Sequence, residues 1–169
     1  MNGGFGTLLR ALADGHVRFI IIGGVAATVH GSARHTRDID VVYARDDENV
    51  RGLVTALAPY APYLRGAPAG LPFRWDTATV RAGLNFTLTT AAGDIDALGE
   101  VVGGGGYENL VRDSEEIEAF GVRALCVTLP MLIALKRAAG RPKDHEVLAE
   151  LELLLEERGN TGPTSFSDS

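Results

Sequence analysis

The chain has 169 residues, enough for one domain with a hydrophobic core and too few for two domains of typical size. Hydrophobic residues make up 46% of the chain and charged residues 22%, a balance that excludes a collagen-like chain and bulk disorder. The formal net charge of −6 disfavours general electrostatic binding of nucleic acid, because an acidic protein does not attract a polyanion.

Hydrophobic periodicity predicts helices and strands that alternate along the chain. The first part is predicted to contain a helix over 7–14, a buried strand over 17–22, a compact helix over 25–30, a strand over 38–44 and a helix over 47–60. A loop rich in Pro, Gly and Ala follows over 61–70, before a strand over 84–91 and a second strand, or its continuation, over 93–101. The remainder is predicted to be a glycine connection over 103–106, a hairpin over 115–127 and helices over 129–140 and 142–159.

This order of elements is typical of an α/β or α+β fold, in which a few strands are covered by four or five helices. We expect a single domain over residues 1–158, because the chain is short and shows no internal repeat. The polar residues 159–169 are predicted to form a disordered tail.

The sequence shows no sign of a membrane span or of secretion. The apolar run from Phe19 to Ile22 is far shorter than the roughly 20 residues that cross a bilayer, and the first residues show no secretory pattern. The single cysteine, Cys126, excludes an internal disulfide framework. We therefore expect a cytoplasmic protein that does not bind membranes.

Asp38 and Asp40 are the first residues that predict chemistry. They are two apart on a predicted strand, so their side chains project to one face while Ile39 faces the core. Two carboxylates about 4 Å apart repel each other by roughly 4 kcal/mol at an effective dielectric constant of 20, which favours a divalent cation between them. Oxygen ligands select Mg²⁺ or Mn²⁺. The alternative is a solvated strand edge without a metal.

Neighbouring segments favour the metal site. Gly23 and Gly24 lie between a strand and a helix, where backbone amides without a nearby Cβ bind phosphate. A later strand supplies Asp94 and Asp96, again two apart. Carboxylates around two metal ions beside a glycine loop are typical of in-line attack on a phosphoryl group.

The stretch GGVAATVHGSARHTRDIDVV resembles the signature of the polymerase-beta-type nucleotidyltransferase superfamily, and most closely its small bacterial subgroup of minimal nucleotidyltransferases and abortive-infection toxins. DIDALGEV and LPMLIALKRAAGRPKDHEVLAEL extend the resemblance. It implies a nucleotidyltransferase fold with a short mixed sheet, flanking helices and C-terminal helices. It also implies two Mg²⁺ (or Mn²⁺) ions and transfer of a nucleoside monophosphate from a nucleoside triphosphate.

The resemblance also implies roles for single residues. Asp38 and Asp40 are implied to bind the metal ions, and Asp96 to be the third carboxylate, with Asp94 as its competitor. Residues implied to bind the nucleotide are Gly23, Gly24, Arg34, Thr36, Lys136 and Lys143. Each cation also has an alternative to nucleotide binding: Arg34 lies on a surface loop, Lys136 lies on a solvated helix face, or Lys143 forms a salt bridge.

The acceptor is left open by the sequence: a hydroxyl on RNA such as tRNA, on a protein, or on a small molecule. The basic stretch 136–145 is the place where RNA would bind. Kinship with the toxin subgroup implies a toxin–antitoxin role and an antitoxin protein as partner. The alternative function is a catalytically silent protein of the same fold that binds a nucleotide or a partner.

Overall fold

A computed structural model of the chain describes residues 3–160, and within them seven strands form one mixed sheet. The strands are β1 (Phe19–Ile22), β2 (Asp38–Tyr43), β3 (Tyr63–Leu64), β4 (Asn85–Thr90), β5 (Gly93–Leu98), β6 (Ser114–Ala119) and β7 (Val122–Val127). Their order across the sheet is β3-β4-β5-β2-β1-β7-β6. The pairs β1/β7 and β2/β5 are parallel, and the other neighbours are antiparallel.

Helices pack around this sheet. They are α1 (Gly3–Asp14), α2 (Gly23–Val29), α3 (Asp47–Leu57), α4 (Thr77–Ala82), α5 (Tyr107–Leu110), α6 (Leu129–Ala139) and α7 (His145–Asn160). Side-chain oxygens cap two of the longer ones: Asp46 accepts from the Asn49 amide at the start of α3, and Thr128 accepts from the Met131 amide at the start of α6. None of the described helices has the length and apolar character needed to cross a membrane.

The central strands carry the hydrophobic core. Every residue of β1 is buried, as its continuous apolar sequence predicts for a strand covered on both faces. In β2, Ile39 is fully buried, whereas Asp38 and Asp40 on the other face are only partly buried. The core therefore leaves one end of β2 open on the face that carries the carboxylates.

The structure confirms the predicted fold class, with α6 and α7 as the C-terminal helices. The predicted hairpin turns at Phe120 and Gly121, whose φ angles of 53° and 76° are those of a tight turn between twisted strands. The sequence left open whether residues 93–101 form a second strand or continue the strand before them. The structure has a separate strand there, β5, which pairs antiparallel with β4.

Among residues 3–160, strand β3 and helices α4 and α5 were not predicted. The segment 61–70, expected to be a loop, contains β3, and α4 and α5 lie in stretches for which no element was expected. Strand β3 has only two residues, too few to show alternation, and α4 has six. Helix α7 continues to Asn160, two residues past the expected domain end. The rest of the predicted tail, residues 161–169, lies outside the described residues.

Candidate active site

Four aspartates lie on one face of the sheet because β2 and β5 are parallel neighbours in register. Asp38 is paired with Asp94, and Asp40 with Asp96. Residues paired across two strands project to the same face, as do residues two apart on one strand. The register therefore brings all four carboxylates together.

Three of the four form a group whose chemistry fits a metal ion. One carboxylate oxygen from each of Asp38, Asp40 and Asp96 lies within 4.8 Å of the other two. Asp40 Oδ1 and Asp96 Oδ1 are buried and lack a hydrogen-bond partner within residues 3–160. Buried oxygens without a partner are costly, and an all-oxygen donor set is the one that Mg²⁺ or Mn²⁺ prefers. We call these three residues the carboxylate triad.

The fourth aspartate, Asp94, lies outside the carboxylate triad. Its Oδ2 is 3.2 Å from Nε of Arg65. The geometry therefore favours Asp96 over Asp94 as the third carboxylate, a choice that the sequence left open.

Asp40 carries the largest electrostatic effect of the triad. Burial first, and then the charges of Asp96 and Asp38, raise the pKa of Asp40 from 3.8 to about 8, while the charge of Lys136 opposes the rise. Without a cation, Asp40 therefore keeps its proton at neutral pH. Metal affinity is expected to increase with pH, because a carboxylate must lose its proton to act as a ligand.

We predict that the metal-free protein loses stability as the pH rises from about 5 to 8. The folded protein keeps the Asp40 proton up to about pH 8, whereas the unfolded chain releases it near 3.8. The folded state thus binds more protons in this range, and the free energy of unfolding falls with pH. In Asp40→Asn the free energy of unfolding should fall less over this pH range. The thermal midpoint of this variant at pH 8 should exceed that of wild type by about 2–4 °C for each 1 kcal/mol of repulsion removed.

Thermal unfolding followed by circular dichroism in a chelator, for both proteins across this pH range, checks the prediction. Contributions to the pH dependence that do not involve Asp40 are common to the two proteins and cancel in their difference. Parallel curves for wild type and Asp40→Asn would contradict it.

Gly23 and Gly24 allow α2 to pack directly against the acidic residues. Gly23 has φ +67°, and a Cβ at this position would overlap Oδ2 of Asp40. A Cβ at Gly24 would lie 2.5 Å from Oγ1 of Thr36, which donates a hydrogen bond to the carbonyl oxygen of Asp38. The glycines and Thr36 therefore have a packing role beside the triad, and their contact with a triphosphate stays a prediction.

Lys136, on α6, lies between two cavities beside the triad. One cavity, of about 290 Å³, is lined by Asp40, Asp96 and Lys136 and, on its apolar side, by Leu98, Val101, Val102, Leu132, Leu135 and Ala139. The other, of about 300 Å³, is lined by Lys136 with Gly24, Arg34, His35 and Thr36. A single ammonium group thus borders both the acidic residues and the predicted nucleotide-binding loop.

A buried carboxylate holds Lys136 in place. Lys136 Nζ is 3.4 Å from Asp144 Oδ1, and Arg141 Nε donates to Asp144 Oδ2 at 2.8 Å. Burial acts to raise the pKa of Asp144, but the hydrogen bond from Arg141 and the charge of Lys136 lower it overall. Asp144 is therefore ionised and pairs with two cations, Lys136 and Arg141, that both line the first cavity.

The structure does not bring the other two predicted cations, Arg34 and Lys143, to the triad. Arg34 lines the second cavity, but its guanidinium pairs with Glu146 at 3.3 Å and Glu150 at 3.8 Å, both on α7. Lys143 is exposed on the turn Pro142–Asp144 and lines neither of the two cavities. Of the predicted cations, Lys136 is thus the one that the structure brings to the triad.

Sequence reasoning missed Arg65, which follows β3. Its guanidinium approaches three of the four aspartates: Nη1 is 3.5 Å from Asp38 Oδ2, Nε is 3.2 Å from Asp94 Oδ2, and Nη2 is 2.8 Å from Asp96 Oδ1. The only signal in the sequence is one cation within a stretch of Pro, Gly and Ala, which does not reveal what the arginine contacts.

Comparison with known proteins supports the fold. The chain matches no protein-family model and no protein of curated function. Its structure is similar to the crystal structure of a "putative nucleotidyltransferase" from Thermotoga maritima, with a TM-score of 0.51 and 14% sequence identity over 89% of each chain. The chain therefore has a nucleotidyltransferase-like fold.

Proposed function

We propose that the protein is a metal-dependent nucleotidyltransferase that transfers a nucleoside monophosphate from a nucleoside triphosphate to a hydroxyl group. The carrying observation is the carboxylate triad, in which buried oxygens of Asp40 and Asp96 accept no hydrogen bond from residues 3–160. The similarity to the Thermotoga structure supports the fold on which this site lies.

The three triad residues and Lys136 each have a task in this proposed reaction. Asp38 and Asp40 would hold Mg²⁺ or Mn²⁺ together with Asp96. When bound, the cations lower the pKa of the attacking hydroxyl and neutralise the leaving pyrophosphate. Asp96, whose buried Oδ1 accepts no hydrogen bond from residues 3–160, would accept the proton of the acceptor hydroxyl. Lys136 donates hydrogen bonds to phosphate oxygens from its position against Asp144.

The first cavity, of about 290 Å³, offers both apolar and charged lining to part of a nucleotide. Aliphatic side chains from β5, the following loop and α6 line it together with the cations Lys136 and Arg141 and with Asn85 and Glu100. A nucleobase or the apolar part of an acceptor fits against these aliphatic side chains, with the phosphates toward the cations.

The ion pairs around α6 affect which class of acceptor can bind. Within the basic stretch 136–145, Lys136 and Arg141 pair with Asp144, and Arg137 pairs with Glu152 at 2.6 Å. These pairs reduce the positive charge that a polyanion would meet. We therefore favour a protein or small-molecule hydroxyl over tRNA. A toxin role with an antitoxin partner is compatible with a protein acceptor.

The test is incubation of the protein with Mg²⁺, a cell extract and each of the four nucleoside triphosphates labelled at the α-phosphate. We expect release of pyrophosphate and transfer of label to one class of acceptor, and neither with Asp38→Ala. Equal labelling by both proteins would contradict the proposal. Because Arg65 contacts the carboxylates, a catalytically silent nucleotide-binding protein is the second candidate, and it predicts binding of the triphosphate without pyrophosphate release.

A further inference from the structure

Arg65 is placed as an internal counter-cation of the acidic residues. We propose that its guanidinium neutralises Asp38 and Asp96 in the metal-free protein, competes with the divalent cation for their oxygens, and pairs with Asp94 alone once the cation binds. This inference rests on the proposed function for the location of the metal site. It assigns roles to Arg65 and Asp94 that the nucleotidyl transfer reaction does not require.

A backbone hydrogen bond fixes the position from which the Arg65 side chain reaches the site. Its amide donates to the carbonyl oxygen of Thr87 at 3.0 Å, which extends the pairing of β3 with β4 by one residue. The side chain is 27% exposed and crosses β4 toward β5 and β2, where its three nitrogens approach Asp94, Asp96 and Asp38. One cation thus contacts the carboxylates of two parallel strands.

Arg65 contacts the carboxylates through ion pairs whose geometry is not that of hydrogen bonds. Among residues 3–160, the one directed hydrogen bond of the Arg65 side chain is from Nη2 to the carbonyl oxygen of Leu88, at 2.8 Å. Nε of Arg65 and Oδ1 of Asp96 both lack a hydrogen-bond partner despite their ion pairs. A bidentate arginine–carboxylate pair is much stronger than this. Charge attraction alone therefore holds Arg65 to the triad.

A divalent cation is expected to bind the oxygens of Asp38 and Asp96 more strongly than the Arg65 guanidinium does. It carries twice the charge of a guanidinium, and Mg²⁺ approaches oxygen to about 2.0–2.1 Å, closer than any nitrogen of Arg65 approaches here. Asp94 lies outside the triad, so its contact with Arg65 does not conflict with metal binding. Asp94 and the Leu88 carbonyl therefore retain Arg65 beside the site after it leaves Asp38 and Asp96.

The test is titration of Mn²⁺ into the protein without nucleotide, by calorimetry, for wild type, Arg65→Gln, Asp94→Asn and the double variant. Arg65→Gln should bind Mn²⁺ about tenfold more tightly, because a competing charge is removed. Its thermal midpoint should fall without metal and rise further than that of wild type when Mn²⁺ is added. Arg37→Gln is the matched control: it removes the same charge next to Asp38 but from an exposed side chain, and should change the affinity by less than about twofold.

Asp94→Asn tests the second half of the proposal. Without Asp94, the carboxylates that Arg65 contacts among residues 3–160 are those of the triad, so Mn²⁺ affinity should fall several-fold. In the Arg65→Gln background the same substitution should have a much smaller effect, as a double-mutant cycle measures. An equal fall in both backgrounds would show that Asp94 acts through its own charge, and would overturn its role as the anchor of Arg65.

The outcomes separate this inference from the proposed function. If wild type and Arg65→Gln bind Mn²⁺ equally tightly, the competition is refuted while the metal site stands. If wild type binds no Mn²⁺, the proposed function fails as well. Should Arg65→Gln fold only when Mn²⁺ is present, the neutralising role is supported. Should it fold in neither condition, Arg65→Lys replaces it, with the same expected direction because lysine cannot bridge the carboxylates.

Discussion

Replacing Asp96 with asparagine is expected to abolish nucleotidyl transfer, whereas replacing Asp94 is not. Asp96 contributes an oxygen to the carboxylate triad, and its buried Oδ1 accepts no hydrogen bond from residues 3–160, although Nη2 of Arg65 forms an ion pair with it. Asp94 lies outside the triad and contacts Arg65. We expect Asp96→Asn to lower the rate of label transfer by roughly 10³-fold or more, and Asp94→Asn by less than about tenfold at saturating Mg²⁺.

The two variants are matched controls for each other. Each removes one negative charge from β5 without a change in side-chain size, and the two positions are two residues apart on the same face of the sheet. A general loss of charge or of folding would affect both proteins alike. The reverse order of activities, with Asp94→Asn inactive and Asp96→Asn active, would assign the third carboxylate to Asp94 and contradict the geometry.

The sequence predicts those parts of the site that depend on local rules. The period of two along a strand is enough to place Asp38 and Asp40 on one face, opposite the buried Ile39. The choice between Asp94 and Asp96 depends on the register of β2 against β5, two strands that are more than fifty residues apart in the chain. No local pattern encodes that register; the family resemblance favours Asp96, and the folded structure supplies the geometric reason for the preference.

Arg65 was missed for a related physical reason. The strand that precedes it has two residues, and its stability comes from pairing with β4, not from its own sequence. The contacts of Arg65 with β2 and β5 are likewise set by packing between distant segments. Long-range charge pairs of this kind also explain why Arg34, predicted to bind phosphate, is engaged by glutamates of α7.

Gly23→Ala is expected to weaken metal binding and transfer by about 100-fold and to destabilise the fold. An alanine at φ +67° costs about 1–2 kcal/mol in backbone strain, and its Cβ would overlap the Asp40 carboxylate. Either Asp40 or the start of α2 must therefore move, and a displacement of about 1 Å at a reacting centre is enough for such a loss. Mn²⁺ titration, label transfer and thermal unfolding of the variant measure the three effects.

Gly70→Ala separates backbone strain from the collision with Asp40. Gly70 also has a positive φ, +92°, but a Cβ there would meet no atom of the described part of the chain within 4 Å. It should therefore lose stability through strain alone and keep the Mn²⁺ affinity of wild type. If Gly23→Ala also kept that affinity, the close contact between Gly23 and Asp40 would not be needed for the metal site. The expected difference arises because the absence of a Cβ at Gly23 leaves room for the Asp40 carboxylate in the position where it groups with Asp38 and Asp96.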